Sequence, residues 1–346
     1  MEKYRISVIL VSLASVIVII AGLKAAQDIV VQFLLALFFA IMFLPVFKFF
    51  VNRKLPKWLS LVIVLFINLI FVYILAFTII TSVNDMRQNL PEYQEKLQVY
   101  ITKITSALKI FGITVPSNIS FDLLNPDLIF QFVSNSLLSF GNILANAMFI
   151  IILAVFILLE SDIFAQKLKL ISKGKKAKIL VDEFFDSVIE YMKIKTITSF
   201  FTGFLAWIFL LILGVDFALL WGMLAFLLNF IPTIGSIIAA VPPITIALID
   251  GGLWYALAVF IWYLGINMVI GNILEPRFMG RGVGLSPLVV LLSLVFWGWV
   301  LGTVGMFLSI PLTVIAKMAF ELKEETRWIA VLMDSEVRRE EVSSSR

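Results

Sequence analysis

The sequence predicts an all-α polytopic membrane protein, and three observations carry that fold class. Of its 346 residues, 61% are apolar, against roughly 45–50% in soluble domains, and the mean hydropathy is +1.06. The apolar residues gather into eight segments on the scale of the about 20 that a spanning helix needs. Lysines and arginines cluster in short connections between those segments, as they do on the cytoplasmic face. The reading is about six full transmembrane helices plus two re-entrant broken helical hairpins, with an extracytoplasmic helical arm.

The same composition excludes whole classes of chemistry. The chain has no Cys and no His. That removes disulfides, thiolate and imidazole metal sites, Cys nucleophiles and Ser-His-Asp catalysis. No phosphate-binding loop is present either. Gly174-Lys175-Lys176 lacks both the first Gly and the Ser/Thr that such a loop needs. No cluster of acids suggests a divalent metal site. The sequence therefore reads as a non-enzyme without metal or cofactor. The formal charge of +4 is small. Its placement beside membrane segments fits topology control and not nucleic-acid binding.

The first segment follows a basic start, Lys3 and Arg5, and runs from Ile6 to Leu23. It is longer than a signal-peptide core and no small-residue cleavage pattern follows it, so it reads as a retained helix. The next spans are 29–50, 59–82 and 143–160. Lys48, Arg53, Lys54 and Lys57 lie between the second and third spans. Lys167, Lys169, Lys173, Lys175, Lys176 and Lys178 follow the fourth. Both connections, and the N-terminus, are then cytoplasmic. Residues 1–82 form an N-terminal group of three helices.

Residues 83–142 fall outside as the arm. Val83, Met86, Leu90, Tyr93, Leu97, Tyr100 and Ile104 recur at steps of three and four, a helix with one apolar stripe. Pro91 marks a kink or a helix start. Pro116-Ser117-Asn118 breaks the chain, and Asn125-Pro126-Asp127 starts a new helix. The stripe suits a subunit contact or packing within the arm. Residues 143–195 are the fourth span and a basic cytoplasmic link. In that link Ile179, Phe184, Phe185, Val188, Tyr191 and Met192 suggest an amphipathic helix. A fifth span runs from Thr196 to Leu213.

Residues 196–317 do not read as simple spans. The stretch 217–249 is 33 residues long and is broken at Asn229-Phe-Ile-Pro232-Thr233-Ile-Gly235-Ser236, where Pro232 removes a donor and Gly235 loosens the helix. The stretch 287–317 is broken at Trp297-Gly298-Trp299-Val-Leu-Gly302-Thr303-Val-Gly305. A helix of its own, 196–213 or 254–273, precedes each. Thr233-Ile234-Gly235 in one matches Thr303-Val304-Gly305 in the other, with Pro242 and Pro311 following. Broken helices in lipid leave unpaired backbone, which persists only against protein or a wet cavity. Paired breaks in two related halves point to a transporter binding site.

If 217–249 crosses the membrane, Asp250 is cytoplasmic and Arg277 and Arg281 are outside. If it is a hairpin, Asp216 and Asp250 are outside and both arginines inside. The second arrangement obeys the positive-inside rule and makes the two units inverted, with tips around Thr233 and Thr303 that meet. The tail, 318–346, is cytoplasmic in either case.

The densest polar group is Asn267, Asn272, Glu275, Pro276, Arg277, Gly280 and Arg281. Glu275 and Arg277 would offset each other's charge if they approach. Glu275 suits a gate or coupling site, whereas Arg281 suits a topology anchor. Asn229, Thr233 and Ser236 at one tip, with Thr303 at the other, present amides and hydroxyls for a neutral, oxygen-rich solute. A sodium ion would also be tolerated. Trp297 and Trp299 suit anchoring or packing better than a lid over a ligand.

Residues 229–243, NFIPTIGSIIAAVPP, and 271–312, with the EPRFMGR run and G-x-S-P, resemble the signature stretches of the autoinducer-2 exporter family. The resemblance is strongest over 190–320. It implies export of a furanose-type quorum-sensing signal or a related metabolite across the bacterial inner membrane. It also implies a homo-oligomer, a pentamer, and an elevator-like movement of the two hairpins. Some relatives look like sodium(lithium)/proton antiporters. The resemblance marks Asn229, Pro232, Thr233, Gly235, Asn272, Glu275, Pro276, Arg277, Gly280, Arg281, Gly302, Thr303 and Gly305. A scaffold or receptor working through the arm is the remaining alternative.

Overall fold

A chain this apolar must satisfy its backbone internally, and helices do so within one segment. The computed structural model describes residues 2–110, 146–171, 175–232, 234–279, 284–321 and 324–335. Among the described residues every regular element is a helix. In order these are α1 (Glu2–Ala25), α2 (Gln27–Asn52), α3 (Lys57–Ile110), α4 (Ala147–Ile171), α5 (Lys175–Leu213), α6 (Ala218–Leu228), α7 (Ile234–Gly251) and α8 (Leu253–Ile266). A π-helical segment (Asn267–Leu274), α9 (Glu275–Met279), α10 (Pro287–Phe307), α11 (Ser309–Glu321) and α12 (Arg327–Met333) follow. Six helices are long and apolar enough to cross a membrane, within 27–52, 57–89, 188–213, 234–251, 253–274 and 287–307. Large apolar side chains stand open to the surroundings, such as Ile212 at 78% and Trp254 at 81% exposure. Water would not tolerate so wide an apolar surface. The protein is a multi-pass α-helical membrane protein.

Of the six helices long enough to cross, 234–251 and 287–307 lie in the stretches expected to be hairpins, and the expected spans 6–23 and 143–160 are not among them. Two boundaries also differ from the sequence reading. The third span and the start of the arm are one helix, α3, of 54 residues with Pro91 inside it. At 1.5 Å per residue it extends about 80 Å. The basic link and the fifth span are likewise one helix, α5, of 39 residues. The rest of the arm, 111–145, with its expected break at Pro116 and helix start at Asn125, lies outside the described residues.

The chain divides into two units, residues 62–148 with 194–278, and residues 1–61 with 149–193 and 279–346. In the first, α6 and α7 are the two arms of a hairpin, joined by a turn at Asn229–Pro232, and α7 packs in turn on α8. Apolar attraction between helices is weak in lipid, so close approach through small residues matters. Gly203 of α5 and Gly222 of α6 supply it. A Cβ on Gly203 would lie 2.6 Å from the Gly222 carbonyl oxygen. Trp221 is fully buried and donates its indole N–H to the Asp216 carbonyl at 2.9 Å. Trp262 of α8 stacks on Phe209 of α5 at 4.4 Å between centroids and donates to the Leu205 carbonyl.

Both ends of this hairpin meet one turn of α3. Tyr93 donates its hydroxyl to Asp216 at 2.8 Å, and Lys96 reaches Asp250 at 3.0 Å. Met86 and Tyr93, members of the stripe read from the sequence, are buried in the same core as Leu210, Trp221 and Ile249. This part of the stripe packs within the chain.

In the other unit α10 packs on α1, α2 and α11. Phe38 meets Phe307 edge-on at 4.8 Å. Gly302 breaks α10 with φ 68° and ψ −152°, a conformation that only glycine takes without strain. The two ends of 287–317 also come together. Lys317, buried near the end of α11, donates to the Gly284 carbonyl at 2.6 Å and pairs with Asp334 at 3.3 Å. The tail is tied to the same place, because the Ser286 amide donates to the Met333 carbonyl at 2.9 Å.

Candidate functional site

The polar site grows from one face of α5. Lys195, Thr198, Ser199 and Thr202 follow one another at helical spacing, so they share a face. All four are buried. Two of the hydroxyls are satisfied within the helix. Thr198 donates to the Lys195 carbonyl at 3.1 Å and Thr202 to the Thr198 carbonyl at 2.9 Å. Ser199 and Lys195 turn outward instead.

Ser199 accepts a hydrogen bond from the Asn229 side-chain amide at 3.0 Å, with both residues buried. Asn229 follows the last turn of α6, at the start of the hairpin turn. One turn away on α5, Lys195 donates to both oxygens of Glu275, at 2.7 and 3.0 Å. The two side chains are only 7% and 15% exposed. Two residues one helical turn apart therefore gather Asn229 and Glu275, which are remote in sequence. Removing one partner of such a buried pair typically costs about 3–5 kcal/mol, because the other charge stays behind.

Glu275 is set in place by the π-helical segment before it. The wider i→i+5 turns shift the register of the helix end, and such segments are frequent at functional sites. Asn267 is half-buried in this segment, and Asn272 is exposed. Arg277 is also exposed, and the partner of Glu275 is Lys195 instead. Residues two apart on a helix do not face each other, which explains the difference. Pro276 lies in α9, and its side chain is outside the described residues, as are Thr233, Gly280 and Arg281.

Pro232 is half-buried in the first turn and Ser236 half-buried at the start of α7. Gly235 is buried, and a Cβ there would overlap the Leu228 carbonyl oxygen and sit 3.1 Å from the Ile231 Cβ. Gly305 in the second hairpin has a matching neighbourhood. A Cβ there would overlap the Trp297 carbonyl oxygen and sit 2.8 Å from the Leu301 Cβ. The two glycines matched from sequence thus do the same local work. Thr303 is exposed. Trp297 donates to the Thr313 hydroxyl at 3.0 Å, a packing role. Trp299 is 59% exposed, with the Lys24 ammonium 4.0 Å above its ring. Near Gly302 stands the Gln27 amide nitrogen, 3.1 Å from where a Cβ would be.

Outside the spans, burial and the hydrogen bond to Asp216 push the Tyr93 phenol well above its ordinary value. Hydrogen bonds to Glu92 and Asp250 raise Lys96 likewise. Tyr93 therefore remains a donor, and Lys96 a cation, throughout the physiological range.

The family model for AI-2E family transporters matches residues 13–325. The chain belongs to the AI-2E transporter family. Its relatives agree along their whole length. A putative transport protein of Haemophilus influenzae is 39% identical, over 94% of this chain and 95% of its own. The AI-2 transport protein TqsA of Escherichia coli K12 is 37% identical over the same shares. YhhT of the same organism, a putative transport protein, is 35% identical over 94% and 93%. The match to the AI-2E model takes in both hairpins and every residue of the α5 site. Lys195, Ser199 and Lys96 are additions to the residues singled out from sequence, and Tyr93, read there as part of an apolar stripe, has a polar partner as well. The signal for the first two was the polar spacing on α5, hidden because Lys195 reads as a loop charge at a helix end.

Proposed function

We propose that this AI-2E family member is a secondary transporter of the inner membrane that exports a small, neutral, oxygen-rich solute of the autoinducer-2 type. The observation that carries the reading is the return of 217–249 to one turn of α3, at Tyr93 and Lys96. A segment that enters and leaves at one level supports a re-entrant hairpin over a span. Its tip then carries broken backbone to membrane depth, where protein or a wet cavity must satisfy it. The closure of 287–317 at Gly284 and Lys317 supports the same reading for the second hairpin. Paired interruptions of this kind mark substrate sites in carriers. Gly235 and Gly305 support an internal repeat, and transport proceeds by an elevator-type displacement of the hairpins.

The site on α5 offers amide, hydroxyl and ammonium groups, which suit the hydroxyls and carbonyls of such a solute. The name of TqsA supports the autoinducer-2 class. Relatives named as transport proteins support a carrier over an enzyme. In this reading both termini are cytoplasmic, the outer part of α3 is extracytoplasmic, and the chain works as a homo-oligomer. The test is counterflow of labelled solute in proteoliposomes. Folded protein that exchanges no furanose or sugar-like solute refutes the export reading. A sodium-dependent pH change in everted vesicles, abolished by Glu275→Gln, would replace it with the antiporter reading.

A further inference from the structure

The antiporter alternative needs a carboxylate that is free to take up an alkali cation or a proton. Glu275 is the carboxylate of the α5 site, and it is already engaged. One ammonium, Lys195, lies 2.7 Å from Oε1 and 3.0 Å from Oε2. It stands where a cation shared by the two oxygens would stand. The surroundings also favour positive charge there. The C-terminal end of α6, which carries the negative end of the helix dipole, abuts α5 one turn away through the Asn229–Ser199 bond. Half-helix C-terminal ends and irregular helix turns are the features with which carriers coordinate sodium. Hydroxyl, amide and carboxylate oxygens are the hard donors such an ion prefers. The oxygens that meet the ammonium are the two of Glu275, and the Ser199 hydroxyl and Asn229 amide lie one helical turn along α5.

We infer that Lys195 is a tethered counter-ion: it fills the position of an alkali cation beside Glu275, closes this site to Na⁺ and Li⁺, and leaves a cation-binding site when its charge is removed. The consequence deepens the transport reading by assigning the specificity of the site. Solute is carried without sodium coupling here, because the charge a sodium ion would supply is covalently part of α5. The inference rests on that reading for its meaning in transport. Its test is read on purified protein without flux, so the two can fail separately.

The experiment compares thermal-unfolding midpoints of the purified full chain in detergent, in sodium, lithium or choline chloride at one ionic strength and mildly alkaline pH. The wild type and Lys195→Arg are expected to give the same midpoint in all three salts. Lys195→Met is expected to unfold several degrees earlier in choline, and to regain most of that loss in sodium or lithium. Lys195→Gln, a milder change that keeps a polar contact, is expected to respond in the same direction. Adding Glu275→Gln to Lys195→Met is expected to abolish the response. A wild type stabilised by sodium over choline overturns the inference, since its site is then already open. So do Lys195→Met and Lys195→Gln proteins that are equally unstable in every salt, and a sodium response that survives Glu275→Gln.

Discussion

Alanine at Gly305 and alanine at Gly265 are predicted to shift stability in opposite directions. Gly265 lies in α8 with nothing within 4 Å of a new Cβ. There alanine adds no contact and removes the flexibility of glycine in a helix, a gain of about 0.5–1 kcal/mol. Gly305 is buried after the break in α10, and its Cβ would overlap the Trp297 carbonyl oxygen. The Leu301 Cβ stands 2.8 Å from that new Cβ as well. The obstacle is backbone, so no rotamer change relieves it. The two arms of the hairpin must part, at about 1–3 kcal/mol for ordinary overpacking and more where backbone must move. Gly235, under the Leu228 carbonyl, predicts the same loss. Midpoints of thermal unfolding in detergent are the measure. Gly265→Ala is expected at or above the wild type, and Gly235→Ala and Gly305→Ala both several degrees below. If either hairpin glycine tolerates alanine as Gly265 does, the tips are not packed as described and the structural match between the hairpins fails.

Three further outcomes follow from the hairpin ends. Single cysteines at Asp216 and Asp250, in a chain with none of its own, should react with impermeant reagent from one and the same side; labelling from opposite sides makes 217–249 a span. Lys317→Met should cost more than Lys96→Met. Lys317 is 9% exposed and ties both the Gly284 carbonyl and Asp334, on the scale of about 3–5 kcal/mol for a buried pair, whereas Lys96 is 38% exposed and such pairs contribute about 0–1 kcal/mol. The Tyr93 phenol is raised in the folded chain, so its contribution is complete below the ordinary phenol value near pH 10 and is lost as pH rises beyond it. Wild-type stability should fall more steeply above that pH than Tyr93→Phe stability, and equal slopes would refute the Tyr93–Asp216 bond.

The helix breaks were legible because their residues act locally. Pro232 lacks a donor wherever it sits, and a glycine such as Gly302 takes a positive φ at no steric cost. The match of Gly235 with Gly305 was legible for the same reason, since small residues are needed where two backbones touch. Lys195 was not legible. A lysine at the end of an apolar helix looks like a topology signal until a carboxylate from a distant segment is seen to meet it. Arg277 was the natural sequence partner for Glu275, and the helix that carries both separates them. The continuity of α3 through Pro91 was hidden too. Proline reads as a boundary, yet the loss of one backbone bond is outweighed when Met86 on one side and Tyr93 on the other are both anchored in one core.

The hairpins also constrain how motion can occur. In each, the two ends are tied together away from the tip: Tyr93 and Lys96 hold the first, Lys317 and the Met333 carbonyl hold the second. In each, the tip is closed by a glycine against a backbone carbonyl. Spreading the arms of one hairpin would break contacts at both places at once. Moving the hairpin together with the residues that clamp it, which belong to the same unit, would break neither. Packed elements switch between discrete arrangements more readily than they deform. The contacts within each hairpin therefore oppose opening of its arms.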